Sequence, residues 1–162
     1  MKTLMVLTTL LTLFGCGPKF PEGTPVSYQY SYSGTMMYYI TWYEVAQTPD
    51  GGVTISYSTD CSDEITVLKA PSDALEKIGA MAKEHNLNKL KNSYLPDMEI
   101  LDGYGWHMFL EFPDGYIGSG GSNAWPPAKL WSGIAAINAY IQGIIDASTP
   151  SDIIGKKSHR DA

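Results

Sequence analysis

The sequence predicts an α+β domain: an antiparallel sheet of about five to seven strands with two helices packed on one face. Three observations predict it. Residues 26–68 alternate with period two and are rich in aromatic and β-branched side chains. A second alternating segment, from Trp106 to Phe112, runs into a Pro113-Asp114-Gly115 turn. Two stretches with apolar residues at helical spacing each follow strands, and each opens at proline.

In chain order, Tyr28, Tyr30 and Tyr32 share one face of a first strand, with serines and Gln29 on the other, and Ser33-Gly34 turns the chain back. Met36 to Val45 is apolar on both faces, Tyr38, Ile40 and Trp42 against Tyr39, Tyr43 and Val45, which suits a central or doubly covered strand. Thr48-Pro49-Asp50-Gly51-Gly52 is a turn, since proline presets φ and glycine accepts positive φ. Val53, Ile55 and Tyr57 then share a face of a third strand, and Ile65 to Leu68 makes a short fourth. Pro71-Ser72-Asp73 starts a helix, with Asp73 and Glu76 at capping-box spacing and Leu75, Ile78, Met81 and Ala82 on one face; it ends near His85-Asn86.

Asn88 to Leu101 resists assignment, although Leu87, Leu90 and Leu95 suit packing beneath a connection and Pro96-Asp97 suits a break. A hairpin follows from Asp102, closed by a glycine-rich bend. Pro126 or Pro127 then opens a second helix carrying Leu130, Ile134, Ile137, Ile141 and Ile144. From Ala147 the chain turns polar, so residues 147–162 read as a disordered tail and residues 26–146 as a single domain. Eleven tyrosines against four phenylalanines point to surfaces that are apolar yet wet, so the tyrosine-rich face of the first strands is expected to be partly exposed.

Trp42 precedes Pro49-Asp50-Gly51 by the interval at which Trp106 precedes Pro113-Asp114-Gly115. Two degenerate strand-strand-helix units would explain this, and so would shared hairpin grammar.

The N-terminus speaks to location. Lys2 and the apolar run Leu4 to Phe14 have the form of a secretory signal over residues 1–15, too short for a bilayer span of about 20 residues. Leu13-Phe14-Gly15-Cys16 resembles the lipobox of bacterial lipoproteins. That resemblance implies thioether-linked lipid on Cys16 and a stable membrane anchor, because two or more acyl chains hold where one does not. An ordinary secreted protein is the alternative. Gly17 in place of aspartate favours the outer membrane or cell surface in a Gram-negative source, and residues 16–25, rich in proline and glycine, read as a tether that lifts the domain off the lipid.

Removing the signal leaves roughly 146 residues, enough for one domain with a real core. A content of 44% hydrophobic and 17% charged residues describes a globular chain. The net charge of −6 excludes a nucleic-acid footprint. Lys77, Lys83, Lys89 and Lys91 read as a solvated face. With Cys16 modified, Cys61 has no disulfide partner, and its acidic setting works against a reactive thiolate; a partly buried, inert cysteine is expected.

The stretch Asp102 to Pro127 gathers the unusual residue types. Asp102-Gly103, Trp106, Asp114-Gly115 and Gly121-Ser122-Asn123-Ala124-Trp125-Pro126 together resemble an uncharacterised secreted or lipid-anchored bacterial domain without established activity, which implies a fold relationship only. The candidate ligand-binding residues are Trp106, His107, Asn123 and Trp125, with the two tryptophans as an aromatic platform suited to sugars. Local structure accounts for the same residues: Trp125 as a staple, Asn123 as a helix cap, and Gly118, Gly120 and Gly121 for unusual backbone angles or close packing. No catalytic set emerges. His85, His107 and His159 lack metal-ligand spacing, Cys61 with His107 carries no protease signature, and Asp97, Glu99 and Asp102 lack the order of a calcium loop. No cofactor is implied.

The expectation is therefore a lipid-anchored cell-envelope protein, a noncatalytic binding or interaction module whose aromatic surface takes a glycan or an envelope protein. The alternative is an envelope hydrolase with His107 as general base near Glu111 or Asp114; strand alternation puts His107 and Glu111 on one face, opposite Met108, Leu110 and Phe112.

Overall fold

The computed structural model describes residues 18–34, 39–98, 100 and 102–159. The signal-like run, the lipobox-like residues with Cys16, and the start of the second strand at Met36 lie outside them. The elements run β1 (Ser27–Ser33), β2 (Tyr39–Gln47), β3 (Val53–Thr59), β4 (Glu64–Lys69), α1 (Ala74–Glu84), β5 (Ser93–Tyr94), β6 (Gly105–Phe112), β7 (Gly115–Ser122), α2 (Ala128–Ala147) and β8 (Ile153–Ser158). The class is α+β, with two helices and one eight-stranded sheet in the order β5-β7-β6-β1-β2-β3-β4-β8. All neighbours are antiparallel except β5 and β7. The sheet thus exceeds the expected size and is mixed. The extra strands are the two-residue β5 and the C-terminal β8.

β8 corrects the expectation of a disordered tail. Its Ser158 and Lys157 pair with Glu64 and Ile65 of β4, and Lys156 adds a salt bridge to Glu64 at 2.7 Å. Pro150 and a reciprocal Thr149–Asp152 capping box turn the chain from α2 into this strand.

Alternation along the strands sorts the side chains into two faces. Tyr28, Tyr30, Tyr43, Val45, Ile55, Met108, Leu110 and Phe112 point toward the helices and form one core with Leu75, Ile78, Ile134, Ile137 and Ile141. The tyrosine face expected to be wet is this core. Tyr28 is 0% exposed, and its hydroxyl donates to Asn138 Oδ1 at 2.8 Å, while that of Tyr43 donates to Gln142 Oε1 at 2.7 Å. Two amides one turn apart on α2 satisfy these two phenols, whereas the Tyr140 hydroxyl on the same helix is buried without a partner among the described residues. Burial also raises the pKa of these phenols: that of Tyr28 stands well above its ordinary value, that of Tyr30 is pushed up to about 12, and that of Tyr43 is raised.

The helix starts differ from expectation in detail. Asp73 makes no side-chain cap bond to α1 and instead pairs with Lys77 at 2.8 Å. Pro127 flanks α2 in extended conformation. The glycine-rich segment after the turn is strand β7 and not a bend, and none of Gly118, Gly120 and Gly121 has positive φ. The two-unit expectation fails on geometry. Trp42 lies beside Ser31 and Ser58 on the sheet face away from the helices, while Trp106, its counterpart, is 4% exposed within the core. Equivalent positions would share a face.

Residues 18–25 are docked and do not act as a free tether. Asn88 donates to the Pro18 carbonyl, Phe20 packs edge-on against Phe112 at 5.6 Å, and the Glu22 amide donates to the Asp114 carboxylate at 3.0 Å. Pro25 is buried.

Candidate binding face of the sheet

The four residues singled out from sequence do not share one exposed surface. Trp106 is buried, edge-on to Trp131 at 5.3 Å, and its indole N–H donates to the Ala124 carbonyl at 2.8 Å. Gly121 makes room for it: a Cβ there would come within 2.4 Å of Trp106 Nε1 and 2.3 Å of the Ala124 oxygen. Asn123 holds a left-handed conformation with φ 49° and caps no helix; its Oδ1 accepts the Tyr104 amide at 2.9 Å and its own amide donates back to Tyr104. It clips the Asp102-Gly103-Tyr104 loop to the end of β7. Trp125 is 43% exposed and follows the Ala124 that takes the Trp106 indole N–H, while Trp106 itself is 4% exposed, so the two do not share a surface. No aromatic platform joins the two tryptophans.

His107 projects from the opposite face, which neither helix covers. The register lays out its surroundings: His107 lies between Ser31 and Gly120, Phe109 between Gln29 and Gly118, and Glu111 between Ser27 and Tyr116. Glu111 accepts the Ser27 hydroxyl at 3.0 Å. Four residues of extended chain separate His107 from Glu111 by about 13 Å, so a shared face does not make them a proton-transfer pair. Asp114 is committed to the Glu22 amide. The hydrolase alternative therefore finds no convergent set at His107.

The glycines of β7 explain how this face is built. Gly118 lies under the Phe109 ring and Gly120 under that of His107, each ring within 3.5 Å of the place a Cβ would take. The Phe109 and Tyr116 rings stack at 5.2 Å with 26° between planes, and Tyr116 is 68% exposed. Across the sheet, Tyr39 and Trp42 flank His159 with ring centroids at 5.2 and 5.3 Å. Between the two aromatic groups lies the polar floor of β1 and β2, where Gln29 donates to Glu44 at 3.1 Å.

His159 Nε2 meets the Ser58 hydroxyl at 2.8 Å. Serine and histidine in contact suggest a nucleophile pair, yet Ser58 is 2% exposed, so no substrate reaches it. The contact fastens the end of β8 over the sheet. The run Ile153–Ser158 carries no strand pattern, so the sequence alone does not bring His159 to Tyr39, Trp42 and Ser58.

Cys61 corrects another expectation: it is exposed, and with Asp60 it forms two consecutive residues of positive φ, 61° and 56°. A cleft of about 570 Å³ between α2 and the Pro71 loop is lined by Pro71, Ala139, Tyr140, Gly143 and Ile144 and includes none of the residues singled out from sequence. Among the described residues no three His, Cys, Asp or Glu side chains could hold a metal ion, and no helix is long and apolar enough to cross a membrane. No protein-family model matches the chain, and no curated protein matches its sequence.

Proposed function

We propose that this chain is a noncatalytic, lipid-anchored module of the cell envelope that binds a glycan through the helix-free face of its sheet. The lipobox-like Leu13-Phe14-Gly15-Cys16 supports the anchor and the envelope location. One observation carries the binding reading: an aromatic pair, Phe109 with Tyr116, sits at one side of a serine- and glutamine-bearing floor. Ring faces take the apolar side of a sugar while amide, hydroxyl and carboxylate groups take its edges. An envelope protein with an aromatic-polar surface is the other partner such a face fits.

Glycan-array screening of the folded domain tests the reading, with pull-down from envelope extracts alongside. Tyr116→Ala and Phe109→Ala are expected to weaken binding about five- to thirtyfold, the loss of an aromatic contact of about 1–2 kcal/mol. Trp125→Ala is expected to leave it unchanged. Retention of a protein alone, abolished by the same two substitutions, would replace the glycan with a protein partner. Binding indifferent to both would remove this face from consideration.

A further inference from the structure

Only Gly17 separates Cys16 from Pro18, whose carbonyl is held by Asn88. Two residue steps reach at most about 7 Å. A lipid on Cys16 therefore holds the domain by the spot where Pro18 docks, without slack to turn that spot away from the membrane.

That spot lies at the β5 end of the sheet, beside Asn88, Asn92 and Tyr116. The chain along this edge has an unusual character for a protein of net charge −6: from His85 to Pro96 it carries Lys89 and Lys91 and no carboxylate. Both lysines are exposed. Immediately beyond them Leu95 and Met98 project, 71% and 73% exposed, with Asp97 the one described carboxylate between them. Protruding apolar side chains next to lysines are what a monotopic contact with lipid requires: tips that enter the boundary between headgroups and acyl chains, and cations that meet anionic headgroups. A lone exposed leucine means little, but two of the most exposed large apolar residues lie on the same sheet edge as the docked chain start, Leu95 and Met98 beside Ser122 and Asn123 at one end of β7 and Pro18 beside Tyr116 and Gly118 at the other, with the lysines on that edge as well.

We infer that the domain stands edge-on upon an anionic phospholipid surface, β5 edge down, with Leu95 and Met98 inserted and Lys89 and Lys91 against headgroups. This rests on the lipid-anchor reading above. The helix-free face then runs upright from the membrane and stays open to a partner.

The test uses full-length protein extracted from membranes and reconstituted into vesicles of phosphatidylcholine and phosphatidylglycerol. Intact mass first establishes lipid on Cys16; unmodified Cys16 overturns the anchor and this orientation with it. A fluorophore is then attached at Cys61 in the natural sequence or at position 95 in a Leu95→Cys, Cys61→Ser variant whose circular dichroism is unchanged. Four strand spacings from β7 to β3 put about 19 Å between the two regions of the sheet. Nitroxide lipids are expected to quench the position-95 label severalfold more than the Cys61 label. Met98→Ser with Lys89→Glu and Lys91→Glu is expected to remove the difference while the protein stays vesicle-bound. Equal quenching at both positions, or none at position 95, with Cys16 lipidated, overturns the orientation and leaves the anchor standing.

Discussion

The Tyr28 hydroxyl donates to Asn138 Oδ1 at 2.8 Å, tying the middle strand of the sheet to the middle of α2. Tyr43 repeats the tie to Gln142 one helical turn on. Tyr28→Phe keeps the ring and leaves the partly buried amide without its donor, so it is expected to destabilise by about 1–2 kcal/mol. Tyr43→Phe, at a residue 5% exposed against 0% for Tyr28, is expected to have the smaller effect. Urea denaturation with an unchanged slope would check both.

The same tyrosines set a behaviour at high pH. The fold buries their neutral forms, and Tyr30 ionises only near pH 12 against an ordinary value of 10.0. Unfolded tyrosines lose their protons first, so the unfolded state binds fewer protons above pH 10. Stability is expected to be level below pH 10 with respect to these groups and to fall from there to about 12, where Tyr30 itself titrates. Tyrosinate absorbance rising together with loss of circular dichroism, and faster-titrating Tyr30 in no native fraction, would be the signature; a native protein with all phenols ionised at pH 11 would contradict it.

Much of this fold was legible in the sequence, because period two and period 3.6 are local signals. β1 to β4, both helices and the hairpin at Pro113 stand where alternation and turn chemistry put them. The failures have separate physical causes. Tyrosine was read as wet, but α2 offers Asn138 and Gln142 to the hydroxyls, a tertiary fact. β7 was read as a bend because glycine favours turns, whereas rings from β6 lie over Gly118 and Gly120. Ile153 to Ser158 has no alternating pattern, and only pairing with β4 makes it a strand. On the binding face, His107 was placed on the correct side of its strand; Tyr116 drew no attention because its value depends on Phe109 across the hairpin.

Gly121 and Gly143 are expected to respond oppositely to alanine. At Gly121 the added methyl meets Trp106 Nε1 and the Ala124 oxygen inside normal contact distance. Forcing them apart should cost about 1–3 kcal/mol. At Gly143, an exposed position of α2, nothing lies within 4 Å of the new Cβ. Gly143→Ala should therefore stabilise by about 0.5–1 kcal/mol through helix propensity. Thermal melts of the pair would separate close packing from backbone freedom.

His159→Ala should strand the buried Ser58 hydroxyl and cost about 1–3 kcal/mol. Ser58→Ala in the same chain should recover part of that loss, since no unpaired donor then remains. Hydrogen exchange should show faster opening of β8 amides than of β1 amides in the single variant.

Cys61→Gly should stabilise, by up to about 1 kcal/mol, because a φ of 61° strains any residue with a Cβ. Chemical denaturation of the two proteins would measure it.

The position of β1 carries one last consequence. The first strand among the described residues lies at the centre of the sheet, and its Ser27 pairs with Glu111, 84 residues later. Closing such separations before any contact repays them slows folding toward the millisecond-to-second range and away from microseconds. The core under Tyr28 cannot assemble until β6 and α2 have arrived, so a chain delivered from its N-terminus remains unfolded until its last third has followed.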